Sequence, residues 1–261
     1  MKVLVLGAGK MVSALLMGFK NAGQDLSGWT IFSPSGSSAK NLANSVGANS
    51  VDDLKEVAEF EWILIGCKPQ QLHSLKKLIG NDFSEHLFVS LLAAISEKDQ
   101  MRVLGIKSLV RVMPNLPVEH NSGIVLISSH SVNSQVLKFE NLFSLLGEVI
   151  VVNDEDLDEL TLLTGSGPAL FYEFALGLSH SFSALDVTKR EYLASMVLRG
   201  AGISVSRDQS LHDLIDSVTS KGGVTRAVLD NWKEGEFQEV IRNGIEAGKL
   251  RSRVIKDSLR N

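Results

Sequence analysis

Four consecutive apolar residues, Val3-Leu4-Val5-Leu6, run directly into Gly7-Ala8-Gly9-Lys10-Met11-Val12, and helically spaced apolar residues follow. A short all-apolar run reads as a strand buried on both faces, as in a parallel sheet covered on either side. A glycine pair between such a strand and a helix lets an anionic ligand reach the N–H groups of the helix N-terminus. Gly7 permits the tight turn, and Gly9 leaves room for a pyrophosphate against the backbone. The third position of the pattern, normally small so that helix and strand pack closely, is Val12. The segment predicts dinucleotide binding through Gly7, Ala8, Gly9, Lys10, Met11 and Val12. A glycine turn of some other α/β fold is the plainer alternative.

The rest of the first half supports that fold. Trp29 to Phe32, Trp62 to Ile65, Leu87 to Leu92, Ser108 to Met113, Val125 to Ser128 and Glu148 to Val152 read as strands. Met11 to Ala22, Ala39 to Val46 and Leu72 to Ile79 read as helices. Strands separated by helices imply a parallel sheet with both faces covered. From Asp154 onward strand signals fade. Asp154 to Thr164 is amphipathic with acids in its first turn. Pro168, suited to the first position of a helix, predicts a new one running to about Leu185. Helical spacing recurs over Thr188 to Val205, Leu211 to Val218, Val224 to Trp232 and Glu236 to Arg253. The fold class expected is α/β: a Rossmann-type parallel-sheet domain over residues 1–153, then an all-helical domain over 154–261.

Composition narrows the partners. Among 261 residues the net charge is −4, which argues against broad nucleic-acid or membrane-surface binding. No run approaches the roughly 18 apolar residues of a membrane span, and the apolar start is too short for a signal peptide. A soluble, cytoplasmic protein is expected. Cys67 is the single cysteine, which excludes an intrachain disulfide. The histidines (73, 86, 120, 130, 180 and 212) lack metal-ligand spacing, so no metal site is expected. No Gly-x-Ser-x-Gly elbow is present to suggest a hydrolase.

Two further segments bear on a ligand. An NAD-binding fold usually carries an acidic residue about 20 residues beyond the glycine motif, where it bonds the ribose hydroxyls. Here the sequence is Phe32-Ser33-Pro34-Ser35-Gly36-Ser37-Ser38. Hydroxyls at Ser33 and Ser35 accept a 2′-phosphate that a carboxylate would repel, which favours NADPH, with NADH as the alternative. Lys40 adds either charge there or only a solvated surface. Far along the chain, Thr219-Ser220-Lys221-Gly222-Gly223-Val224-Thr225 precedes a helical run. Consecutive glycines leave N–H groups open to an anion, and Thr225 offers a hydroxyl that both donates and accepts.

Taken together, Gly7-Ala8-Gly9-Lys10-Met11, Lys68-Pro69-Gln70, Arg111-Val112-Met113-Pro114-Asn115, Gly165-Ser166-Gly167-Pro168-Ala169 and Thr219 to Thr225 come in an order that resembles the pyrroline-5-carboxylate reductase family. The resemblance spans nearly the whole chain. It implies an NAD(P)H-binding domain, a helical dimerisation domain that completes the active site, and reduction of Δ1-pyrroline-5-carboxylate to L-proline, the last step of proline biosynthesis. It implies cofactor contacts for Gly66, Cys67, Lys68 and Pro69. It also implies contact of Thr225 with the imine nitrogen and of the Val218 backbone with substrate. The loop Gly222-Gly223, with the N–H groups of Val224 and Thr225, then suits the substrate carboxylate.

Some roles stay open. Lys68-Pro69 contacts the cofactor or merely ends a strand. Asn115 bonds the nicotinamide ribose or stabilises its own turn. Ser166 meets a ligand, or its glycine neighbours only allow close packing. Ala201-Gly202 and Ala247-Gly248 are candidates for close helix contact between copies in a dimer or an assembly of dimers. The sequence differs from the family pattern at Val12, Gly66-Cys67 (usually Ala-Val), Leu116, Thr164 and Leu170. Alternatives are a reductase of another cyclic imine, or a cofactor-binding sensor without catalysis. A β-hydroxyacid dehydrogenase would need a catalytic lysine with an asparagine one helical turn on, and no convincing pair is present.

Overall fold

A computed structural model describes residues 1–54, 60–80, 83–128, 134–206 and 208–258. They fall into two compact units, Met1–Gly165 with Arg251–Asn261, and Ser166–Leu250.

The first unit alternates strands and helices: β1 (Val3–Leu6), α1 (Lys10–Asn21), β2 (Trp29–Phe32), α2 (Ser37–Val46), β3 (Asn49–Val51), β4 (Trp62–Ile65) and α3 (Leu72–Ile79). Then come β5 (Leu87–Ser90), α4 (Glu97–Leu104), β6 (Ser108–Pro114), β7 (Gly123–Ser128), α5 (Ser134–Phe143) and β8 (Gly147–Val152). The strands make one 8-stranded sheet in the order β3-β2-β1-β4-β5-β6-β7-β8. Strand order reverses between β1 and β4, the switch point at which ligands of such sheets bind.

The all-apolar β1 has the two-sided burial its composition demands. Val3 and Val5 join one hydrophobic cluster, and Leu4 and Leu6 join the other. On the first face Trp29 meets Phe19 at 5.5 Å and Trp62 at 5.3 Å between ring centroids, and Trp62 meets Phe139 at 5.4 Å. These tilted and edge-on contacts lock α1 and α5 onto the sheet.

The expected parallel sheet includes one antiparallel pair. β6 and β7 pair antiparallel, with Val112 opposite Ile127. No crossover helix separates them, only the turn through Asn115 to Ser122, which contains a short 3₁₀ segment Leu116–His120. A parallel return would need a connection of a dozen residues or more. α1 lies directly on this turn, because a Cβ on Gly18 would overlap the Val118 carbonyl oxygen.

Three elements go beyond the sequence reading. β3 is short and polar. Half of α4 is charged, and its start is set by Ser96, whose Oγ accepts from the Asp99 N–H at 3.1 Å. α5 opens on Ser134-Gln135 instead of an apolar stripe.

One correction concerns the helix after β8. The chain does not break before Pro168; α6 runs without interruption over Asp154–His180 with Pro168 inside it. A proline in a helix interior leaves the carbonyl four residues back without its donor. Here that carbonyl belongs to Thr164, and Asn115 Nδ2 donates to it at 3.0 Å. The asparagine supplies from outside the hydrogen bond that the proline withholds.

The second unit continues with α7 (Val187–Ser204), α8 (Leu211–Ser217), α9 (Val224–Glu234) and α10 (Phe237–Ser258), the last of which extends past the unit's end at Leu250. Asp186 caps α7 by accepting from the Lys189 N–H at 3.0 Å, and Ser210 caps α8. Trp232 packs with Phe174 and Phe237, at 5.7 and 5.1 Å. Otherwise this unit has little interior of its own. Among its described residues only Gly167, Ala175 and Ser179 are buried. Among the described residues no helix is long and apolar enough to cross a membrane.

Candidate cofactor and substrate site

Gly7 sits at φ +124°, outside the range of ordinary L residues, and a Cβ there would come within 2.8 Å of the Gly66 carbonyl carbon and oxygen. Gly66 in turn donates its N–H to the Leu6 carbonyl at 2.9 Å. The turns that follow β1 and β4 are therefore in backbone-to-backbone contact, which only glycine allows. Gly9 caps α1 in an extended conformation without a side-chain cap. The N–H groups of Lys10, Met11 and Val12 belong to the first turn and have no intrahelical acceptor. This is a cradle for an anion at a helix N-terminus.

Above it lies a cleft of about 360 Å³, lined by Gly7, Ala8, Gly9, Ser33, Ser38, Gly66, Cys67 and Lys68 among others. The structure thus brings together most of the residues expected to bind a cofactor. Lys10 lines a shallower depression beside it, with Ala8, Ser13 and Ser38. Val12 is buried, Met11 is half-buried, and Ser35 and Pro69 do not line the cleft. Asn115 is buried, and both ends of its amide are engaged: Oδ1 accepts from the Ile124 N–H at 2.8 Å while Nδ2 donates to Thr164. Of its two open roles, this geometry is that of the turn.

Val12 and Gly66, both departures from the family pattern, answer each other. A Cβ on Gly66 would overlap Cγ2 of Val12. The bulk gained at the third motif position is accommodated by its loss on β4's turn. Beside them, burial pushes the Cys67 thiol up to about 11, so it is a neutral, unreactive part of the wall at ordinary pH.

At the other end of the cleft the serine turn forms a closed hydroxyl ring. Ser33 Oγ lies 3.3 Å from Ser35 Oγ and accepts from Ser38 Oγ at 3.1 Å, and Ser35 and Ser38 are in direct contact. One residue of this region was not legible in the sequence. Asp52, immediately after β3, brings Oδ1 to 3.0 Å from where a Gly36 Cβ would stand. A carboxylate thus approaches the serine turn after all, from the neighbouring strand and not from β2. Strand pairing across the sheet, with Phe32 opposite Val51, puts it there.

In the second unit the glycine loop has the form expected of an anion grip. Gly222 is at φ +74°, and Gly223 caps α9 in an extended conformation without a side-chain cap. The next residue whose N–H finds a helical acceptor is Ala227, bonded to the Gly223 carbonyl at 3.2 Å. The N–H groups of Val224 and Thr225 are therefore available, and Gly222, Val224, Thr225 and Val218 are all exposed. Among the described residues no group of His, Cys, Asp and Glu is arranged to hold a metal ion.

The Val12–Gly66 contact predicts a coupled pair. Gly66→Ala should cost about 1–3 kcal/mol by overpacking, and Val12→Ala a similar amount through lost burial. The double variant, measured by urea unfolding, should be more stable than the sum of the two by at least roughly 0.5 kcal/mol. Strict additivity would show that the two side chains do not share this space.

Comparison with known proteins matches two stretches of the chain. Residues 2–94 match the model of the coenzyme F420-dependent NADP oxidoreductases, and residues 154–255 match that of pyrroline-5-carboxylate reductase dimerisation. Pyrroline-5-carboxylate reductase of Pasteurella multocida is 28% identical over 263 residues, covering 96% of each chain. The enzyme of Haemophilus influenzae is 28% identical over 260 residues, again covering 96% of each. The crystal structure of Plasmodium falciparum pyrroline carboxylate reductase with NADP bound superimposes with a TM-score of 0.83 at 25% identity, covering 98% of both chains. The chain is similar to the pyrroline-5-carboxylate reductases over nearly its whole length, with a match to their dimerisation model behind a match to the NADP-oxidoreductase model.

Proposed function

We propose that the protein is a pyrroline-5-carboxylate reductase, which reduces Δ1-pyrroline-5-carboxylate to L-proline with NADPH. The observation that carries this reading is the cradle at Gly7 and Gly66, whose backbones close on each other with no room for a Cβ. A pyrophosphate fits there against the N–H groups of α1, and the hydroxyls of Ser33, Ser35 and Ser38 suit a 2′-phosphate. The wall of Gly66, Cys67 and Lys68 bounds the remainder of the cofactor, with Pro69 fixing the end of that wall. The cofactor, when bound, supplies the hydride.

The chain's own work is positioning. The N–H groups of Val224 and Thr225, opened by Gly222-Gly223, hold the substrate carboxylate, and Val218 touches the ring with its backbone. The Thr225 hydroxyl bonds the imine nitrogen. A substrate entering as the protonated iminium needs no strong acid, so orientation provides most of the rate. Thr225→Ala should lower kcat on the order of a hundredfold and leave the KM for NADPH unchanged. The unmutated chain should restore growth of a proline auxotroph, and the variant should not. Failure of the unmutated chain both to rescue and to reduce any of a panel of cyclic imino acids would refute the assignment.

We also infer a homodimer. Phe171, Tyr172, Ile203 and Val240 of the helical unit are 61, 61, 75 and 67% exposed in the single chain. A Cβ on Gly202 would meet nothing there. Helices with apolar faces and so small an interior require a partner surface. Light scattering at micromolar concentration should give at least twice the chain mass, and a monomer would overturn the inference.

Asp52 should temper cofactor choice. Its carboxylate lies near enough to the serine turn to oppose a 2′-phosphate through solvent. Asp52→Asn should raise the ratio of kcat/KM for NADPH to that for NADH by about two- to fivefold at low ionic strength, less in high salt. An unchanged ratio would mean that solvent screens the charge fully.

A further inference from the structure

The turn after β5 holds the only described alanine with a left-handed backbone. Ala94 lies at φ +64° and is buried. A residue with a Cβ resists this conformation, and it persists only where surrounding contacts impose it. Those contacts are explicit. The Ala94 N–H donates to Asp158 Oδ1 at 3.2 Å. Asp158 is ion-paired with Arg111 Nη2, and Arg111 Nη1 bonds Asp154 Oδ1 at 2.6 Å. Arg111 is fully buried on β6, and its Nη2 also reaches the Leu92 carbonyl at 3.4 Å. Gln100 Nε2 takes the Ile95 carbonyl at 2.8 Å, and Asp154 Oδ2 accepts from the Glu97 N–H at 3.0 Å.

The location of this turn gives the clamp a purpose. The Leu91 N–H donates to the Ile65 carbonyl at 2.9 Å, which ties the turn to the end of β4 beside Gly66. In a sheet of this order a dinucleotide spans two halves, one over β1 to β3 and the other over β4 to β6. The serine turn after β2 marks the adenosine half, so the ends of β4 and β5 face the nicotinamide half.

We propose that Arg111 and Asp158 are positioning residues for the nicotinamide half of the cofactor: they hold the β5 turn in the strained conformation at Ala94, and that turn is bonded to the end of β4 next to Gly66 of the cleft wall. The inference rests on the cofactor reading above. It explains why two carboxylates and a guanidinium are kept together in the interior where apolar side chains would pack as well.

The test separates the two halves of the cofactor by binding, measured by fluorescence and calorimetry. Asp158→Ala, which removes both the acceptor for the Ala94 N–H and one partner of Arg111, should weaken NADPH binding about tenfold. Binding of adenosine 2′,5′-bisphosphate, which carries only the adenosine half, should stay within about twofold. Ala94→Gly alone should bind both normally, because glycine adopts the left-handed turn without strain. In the Asp158→Ala background Ala94→Gly should recover much of the lost NADPH affinity. Should Asp158→Ala not fold, Asp158→Leu, which keeps the side-chain volume but offers the Ala94 N–H no acceptor, takes its place in the same comparison. Equal losses for NADPH and the bisphosphate, no loss at all, or no recovery with glycine would each overturn the proposal. An unmutated protein that binds neither NADPH nor NADH would instead overturn the cofactor reading beneath it.

Discussion

Everything at the cofactor end depends on two peptide backbones touching without side chains between them. Gly7 and Gly66 lie against each other, so the turns after β1 and β4 are one surface and not two loops. That contact fixes where α1 begins and therefore where its free N–H groups lie. It also fixes the direction of Cys67 and Lys68. Val12 then fills the space that Gly66 leaves, and α1 is held at its depth on the sheet. A Cβ at either glycine would separate these turns, and the cleft would lose its floor.

The sequence was most legible where one physical requirement dominates. Strands buried on both faces must be apolar throughout, and Val3 to Leu6 and Trp62 to Ile65 lie where their composition places them. The glycine turns were equally plain, because few roles need two glycines at that spacing. Legibility failed where an element owes its existence to contacts from elsewhere. α4 is polar, stabilised by its cap and by its own buried Gln100, which bonds Ser90 and the Ile95 carbonyl. β3 forms because β2 offers an edge. The antiparallel return of β7 follows from the absence of a helix after β6, which periodicity does not register.

At the site the same distinction holds. Gly7, Ala8, Gly9, Gly66, Cys67 and Lys68 are close in sequence to strand ends, and the topology gathers them. Asp52 and Asp158 carry no local signal. One arrives across a strand pair and the other across the interior from a helix whose acids read simply as those of a first turn. The departures at Val12 and Gly66 looked independent in one dimension and prove to be a single steric exchange in three.

The bond from Asn115 to the Thr164 carbonyl has a consequence for how the chain can change over generations. Pro168 removes a donor from α6, and an asparagine on a different element replaces it. The two positions therefore form one heritable unit. A residue with its own N–H at 168 would compete with Asn115 for the same oxygen, and a residue without an amide at 115 would leave the proline's deficit inside the protein. Neither position is free to drift alone, though nothing in the linear spacing of the chain connects them.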